Sequence, residues 1–242
     1  MARIVVTGGS GRFGRAVLPQ LAAQGLTGVG VGRADGVDLR GRTSLGAALD
    51  EVLQGTDVVV HAASDPRHAR DVDVEGTGKL LAAAKRHGLR HLVYLSIVGV
   101  DRTPLAYYRA KLAAERLVVR SGVPYTIVRS TQWFPLVDQV VRTTGRFGVA
   151  PRDWVVAPCD VDEVAMLVTR RVLNPPLGAT VEIGGPERVL LTRAARDVTG
   201  HRVLHLGVPG SLSAAVRGGS LLPGPDAVVA AQSWSEWVAR RR

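Results

Sequence analysis

The chain has 242 residues, 46% of them hydrophobic, which is enough to build one α/β domain with a sizeable core. No apolar run is long enough to cross a bilayer as a helix, and a lone cysteine, Cys159, excludes an internal disulfide. The net charge of +10 comes almost wholly from arginines spread along the chain, with no helix-turn-helix, finger or RNA-binding signature, so no nucleic-acid partner is expected.

The first element is the β-branched run Ile4–Val6, which ends in a glycine loop. A helix is expected over Arg12–Ala23, a strand over Thr27–Val31 closed by Gly32-Arg33, and a helix over Thr43–Leu53. Val58–Val60 reads as a buried strand. Gly76–His87 reads as a helix, with Leu80, Leu81 and Ala84 on its apolar face and Gly88 as C-terminal cap. Then come a strand over His91–Leu95, a helix over Tyr107–Arg120 and a strand over Tyr125–Val128. Short apolar strands alternating with helices imply a doubly wound parallel sheet covered on both faces.

Beyond Arg129 the pattern loosens. Asp160 and Glu163 suggest a capping box ahead of a helix over Val164–Val172, and Val181–Ile183 reads as a strand before the turn Gly184-Gly185-Pro186. From about Gly200 the chain is rich in glycine and proline and least legible, although Trp234 and Trp237 suit a C-terminal amphipathic helix that they anchor. One domain spanning 1–242 is expected, with substrate-side elements mainly within 130–242. The start runs directly into a strand, with no signal peptide, and with the single cysteine this leads us to expect a soluble cytoplasmic protein without a membrane partner.

The loop Thr7-Gly8-Gly9-Ser10-Gly11-Arg12-Phe13-Gly14 fits G-x-G-x-x-G between the first strand and the first helix. Its glycines allow a sharp turn and a close approach to a pyrophosphate, which the freed N–H groups and the helix N-terminus then hold. NAD sites usually carry an acidic residue at the end of the second strand; here Gly32-Arg33 stands there. A guanidinium fork suits a 2′-phosphate, with Arg12 as a second cation, so NADP(H) is the expected cofactor. The competing reading leaves Arg33 solvated and gives the acidic role to Asp35.

Four segments resemble the short-chain dehydrogenase/reductase superfamily, most nearly its atypical NmrA-like, NAD(P)H-binding branch. They are the glycine loop, Val60-His61-Ala62-Ala63-Ser64, Leu95-Ser96, and Tyr107 through Glu115. The resemblance covers roughly residues 3 to 190 and implies a Rossmann-type fold. It also implies Asp38 and Leu39 beside the adenine, and Ala62, Ala63 and Ser64 beside the adenosine and its ribose. Gln132-Trp133-Phe134 would fall near the nicotinamide and a small-molecule substrate. Trp133 and Phe134 are candidates for the pocket wall, or else ordinary core aromatics.

In that superfamily Ser, Tyr and Lys form the reaction centre, which points to Ser96, Tyr107 and Lys111. Tyr107 and Lys111 are four apart on the expected helix, hence on one face. A neighbouring ammonium stabilises a phenolate, so the phenol can protonate a carbonyl oxygen as hydride arrives. Lys111 doubles as a cofactor ligand in this scheme. Tyr108, about 100° further round, cannot share that face. The reading is an NADPH-dependent reductase of a small carbonyl or quinone. An NADP(H)-sensing module without turnover, or a non-redox isomerase or cyclase, stays open on the same fold. The scattered histidines and Cys159 lack metal-ligand spacing, so no metal is expected.

Overall fold

The structure is a computed structural model that describes residues 2–41, 45–145 and 148–241. β1 (Arg3–Thr7) leads through the glycine loop into α1 (Arg12–Ala23), β2 (Thr27–Val31), α2 (Leu45–Leu53), β3 (Val58–His61) and α3 (Thr77–Arg86). Next come β4 (His91–Ile97), α4 (Ala106–Arg120), β5 (Tyr125–Ser130), α5 (Phe134–Gly145), β6 (Val149–Pro151) and β7 (Val155–Val156). The chain continues through α6 (Val161–Val172), β8 (Thr180–Gly184), β9 (Val189–Leu190), α7 (Leu191–Thr199) and β10 (Leu204–Leu206). It closes with α8 (Ser211–Arg217), β11 (Val228–Val229) and α9 (Trp234–Ala239). The helix expected from Thr43 is α2, and Thr43 itself lies outside the described residues.

A seven-stranded sheet runs in the order β11-β8-β5-β4-β3-β1-β2. β1 pairs in parallel with both β2 and β3, and β3 with β4. The chain therefore moves outward from β1 to β2 and then crosses to the other side of β1 for β3. That reversal makes a switch point between β1 and β3, where open α/β sheets hold their ligands outside the carboxyl ends of the strands. This is the doubly wound, Rossmann-type arrangement that the alternation of elements implies.

The chain divides into two compact units. The first comprises Met1–Ser96, Arg109–Val128 and Ala165–Val181. Its core gathers Val5, Leu49, Leu53, Val59, Leu80, Leu92 and Ile127. α1 buries Phe13, Val17 and Leu21, and α2 buries Leu45, Leu49 and Leu53; in each the four-residue spacing forms one apolar stripe facing the sheet. Ahead of α3 the chain forms a π-helical segment, Arg70–Gly76, which carries Val72 and Asp73 into the interior. Alternating acidic and apolar residues there give no helical stripe, so the pattern hides it.

The second unit comprises Ile97–Tyr108, Arg129–Val164 and Glu182–Arg242. Phe134 is fully buried against Trp234 and Trp237, whose rings stack at 5.2 Å. α9 opens with a capping box between Ser233 and Glu236. The box suggested at Asp160 does not close: neither of its two reciprocal bonds forms. Asp160 accepts from the Asp162 N–H, whereas Glu163 turns away and accepts from the N–H groups of Ala231 and Gln232. A distant chain segment with unpaired donors has captured the carboxylate, which local spacing does not reveal.

The glycine loop sits on strand backbone. Gly8 and Gly9 both donate to the Val31 carbonyl of β2, and Gly8 has a left-handed φ of +72°. A Cβ on Gly9 would stand 2.5 Å from the Gly30 Cα, and one on Gly14 would overlap the Gly9 carbonyl oxygen. Gly9→Ala should therefore lower unfolding stability by about 1–3 kcal/mol through overpacking. Urea denaturation checks this; an unchanged midpoint would mean that β2 yields freely.

Candidate cofactor and catalytic site

A pocket in the first unit opens over the switch point. It is lined by Thr7, Gly8, Ser10 and Gly11 of the loop, Val31 to Arg33, Val37 to Arg40, Ala63 to Asp65, and Val72. Of the residues read as cofactor-binding, Gly8, Ser10, Gly11, Arg33, Asp38, Leu39, Ala63 and Ser64 come together on this wall. Arg12, Phe13, Gly14, Ala62 and Lys111 do not line it. Phe13 is buried under α1, Gly14 packs against the loop backbone, Arg12 is exposed, and Ala62 donates to the Thr7 carbonyl.

Two features at the end of β2 concern the adenosine ribose. Asp35 folds back to accept from the Gly32 N–H, which occupies its carboxylate in capping a short 3-10 turn, Arg33–Asp35. Arg33 is exposed at the rim, and Arg40, which the sequence reading missed, lines the same pocket. Arg40 is steered by Asp38, whose Oδ1 accepts from the Arg40 backbone N–H at 3.1 Å and lies 3.5 Å from its Nε. Two guanidiniums and a glycine cradle with no side chain in the way fit a dinucleotide carrying a 2′-phosphate.

Behind the pocket wall runs a buried polar relay. Thr7 Oγ1 accepts from the Ala63 N–H and stands 2.6 Å from His61 Nδ1, while His61 Nε2 stands 2.8 Å from Thr77 Oγ1. It joins β1, β3 and α3. His61 is fully buried, and burial, helped by the Lys111 charge, pushes its pKa down to about 3, so the ring is neutral at physiological pH.

Lys111 lies deeper than a surface lysine. It is 3% exposed, donates to the Leu95 carbonyl at 2.8 Å, and pairs with Asp73 Oδ1 at 3.5 Å. Its Nζ also sits 4.3 Å from the centre of the Tyr94 ring. Burial lowers its pKa from the ordinary lysine value, and Asp73 and Glu115 oppose that fall. Asp73 is the residue that sequence reasoning missed here; Val72 and Val74 beside it are the only local hint of an inward-facing segment.

Ser96 lies near the carboxyl end of β4, 2% exposed, and its hydroxyl has no hydrogen-bond partner among the described residues. Ser96 and Lys111 belong to the first unit, and Tyr107, Trp133 and Phe134 to the second. Tyr107 and Lys111 both lie on α4, one turn apart. Tyr107 is half-buried, with its ring 69° to that of Tyr108. Tyr108 is 8% exposed and receives a long 3.4 Å contact from Gln132 Nε2; burial pushes its phenol up, away from acid–base use. The Trp133 indole N–H donates to Ser130 Oγ. Cys159 is buried, and burial pushes its thiol up to about 12. Among the described residues no helix is long and apolar enough to cross a membrane.

Comparison with known proteins gives this geometry a context. Residues 8–153 match a family described as NAD(P)H-binding. A reductase of (4-alkanoyl-5-oxo-2,5-dihydrofuran-3-yl)methyl phosphate from Streptomyces griseus is 30% identical over 223 residues, 85% of this chain and 74% of that protein. Two solved structures share the fold. An NADPH-dependent quinone oxidoreductase of Escherichia coli, complexed with NADPH, superposes with TM-score 0.74 at 20% identity, over 98% of this chain and 99% of the other. A nucleoside-diphosphate-sugar epimerase of Staphylococcus aureus reaches TM-score 0.78 at 16% identity, over the same shares of the two chains.

The buried imidazoles make stability depend on pH. His61 is held down at about 3 and His91, buried beside Thr126, at about 4, both below the ordinary 6.5. In the unfolded chain both rings take up protons below 6.5, while in the fold they do not. Their contribution is therefore complete above that pH and is lost as pH falls towards 4 and then 3. Each should add a slope of about 1.4 kcal/mol per pH unit in that window. Urea unfolding at about pH 7 and about pH 5 reads it, and His91→Asn should remove about half the slope. A flat profile over that interval contradicts the assignment.

Proposed function

Because the chain belongs to the NAD(P)H-binding family, we propose that it is an NADPH-dependent oxidoreductase that reduces a small carbonyl or quinone substrate. In this reading Tyr107 is the acid, Lys111 its activator and a cofactor ligand, and Ser96 the group that orients the substrate oxygen. The observation that carries it is Ser96. A buried hydroxyl left unpaired costs about 1–3 kcal/mol, a cost removed when a substrate oxygen accepts from it. The Streptomyces griseus relative, named for reducing an oxo-dihydrofuranyl phosphate, supports a reductive reaction on a compact oxygenated substrate.

When bound, NADPH would supply the hydride that the substrate takes up. The chain's own residues do the rest. Gly8, Gly11 and the N-terminus of α1 would hold the pyrophosphate, and Arg33 and Arg40, which line the same pocket, would hold the 2′-phosphate. Ser96 donates to the substrate oxygen and polarises it. Tyr107 delivers a proton to that oxygen as negative charge develops there, and the Lys111 ammonium one turn away stabilises the phenolate left behind. Trp133 is the aromatic of this scheme on the substrate side, since Phe134 is taken up in the core by Trp234 and Trp237.

Two experiments test the scheme. The unmutated protein should bind NADPH more tightly than NADH, and Arg33→Ala should erase most of the difference, about 1.5–3 kcal/mol. Equal affinities in the unmutated protein, measured by fluorescence titration, exclude the 2′-phosphate site. For catalysis, Tyr107→Phe should keep NADPH affinity and lose about 10²–10⁴-fold in rate with a substrate drawn from a quinone and ketone panel. Tyr108→Phe should retain most activity. Full turnover by Tyr107→Phe, or a dead Tyr108→Phe alone, removes Tyr107 from the mechanism.

A further inference from the structure

We infer that Asp73 is a positioning residue that keeps the buried Lys111 ammonium charged and ties it to the wall of the cofactor pocket. The geometry rests on four contacts. Lys111 Nζ pairs with Asp73 Oδ1 at 3.5 Å and donates to the Leu95 carbonyl at 2.8 Å. On its other side, Asp73 accepts from the Ser64 hydroxyl at 2.6 Å and from the Asp65 N–H at 3.3 Å. Ser64 and Asp65 both line the pocket, so one fully buried carboxylate links the pocket wall to α4.

The charge follows from the surroundings. An ammonium taken out of water is driven to release its proton unless an opposite charge stands beside it. The groups facing Lys111 are Asp73 on the π-helical segment, Glu115 on α4, the Tyr94 ring on β4 and the neutral His61 at the end of β3. Burial lowers the Lys111 pKa; Asp73 opposes this by both charge and hydrogen bonding, and Glu115 by charge alone. Asp73 is thus the main support of the charge that Tyr107 needs, and only this catalytic consequence rests on the function proposed above. Asparagine at this position would keep the shape and the acceptor but remove the charge.

The chain has three lysines, Lys79, Lys85 and Lys111, so lysine carrying ¹³C at Cε gives a small set of resonances, with Lys111 assigned from Lys111→Met. Titration of the full chain by NMR should show the Lys111 midpoint falling by about one pH unit or more in Asp73→Asn, with Lys79 and Lys85 unmoved. Asp73→Glu should recover most of the shift. An unchanged Lys111 midpoint in Asp73→Asn overturns the inference. Should that variant fail to fold, the unmutated protein decides: Lys111 must be charged at about pH 7.5, and a neutral amine there overturns it equally. The readout needs no substrate, so it separates a failure of this inference from a failure of the proposed reductase.

Discussion

At Gly8, Gly9 and Gly14 the backbone of the loop after β1 passes so close to its neighbours that a Cβ atom has no room. Gly9 rests on Gly30 of β2, Gly8 on Ala63 beyond β3, and Gly14 on the loop itself. With no side chain at these three positions, β1 can turn directly into α1, and the reversal between β2 and β3 leaves an open crevice above their carboxyl ends. The same contacts that make the turn compact keep its outer surface bare for a pyrophosphate. Packing and ligand binding therefore place one demand on these positions, which is why the glycines that line the pocket and those buried beneath it are interleaved.

Below that surface the first unit holds its polar groups in a definite order. Thr7, His61 and Thr77 satisfy one another without any charge. Asp73 and Lys111 form the charged counterpart one layer on. A neutral imidazole beside a lysine is electrostatically tolerable where a second cation is not, and the depressed His61 pKa reflects that proximity as well as burial. Both networks end on the pocket wall, at Ala63 and at Ser64 with Asp65. The wall is thus braced from behind by hydrogen bonds, not only by apolar contact, which favours the fixed orientation that a binding site needs.

Much of this was legible in the residues, for definite reasons. α1 and β2 fall where the pattern puts them because Phe13, Val17 and Leu21 mark a helix face and the glycine loop marks its start. The pocket side of Arg33 could be read from its place after β2. Arg40 could not, because the chain between them doubles back through a short turn capped by Asp35, and only the folded path brings the second guanidinium to the rim. Asp73 stayed hidden since its π-helical segment has no apolar stripe of helical period. Glu163 looked like half of a capping box, yet its partners lie 68 and 69 residues away. Phe134 was balanced between pocket wall and core; the structure packs it among Trp234 and Trp237, contacts that cross about a hundred residues of sequence and carry no local signal.

The claim on which the functional account turns is that the pocket over the switch point receives an adenosine bearing a 2′-phosphate. Competition against bound NADPH, followed by nucleotide fluorescence at fixed ionic strength, addresses that pocket alone. The account predicts that 2′,5′-ADP displaces NADPH at least about tenfold more effectively than 5′-ADP, equivalent to about 1.4 kcal/mol or more for the charge-assisted contacts of Arg33 and Arg40. Equal displacement by the two nucleotides, or none by either, would contradict it.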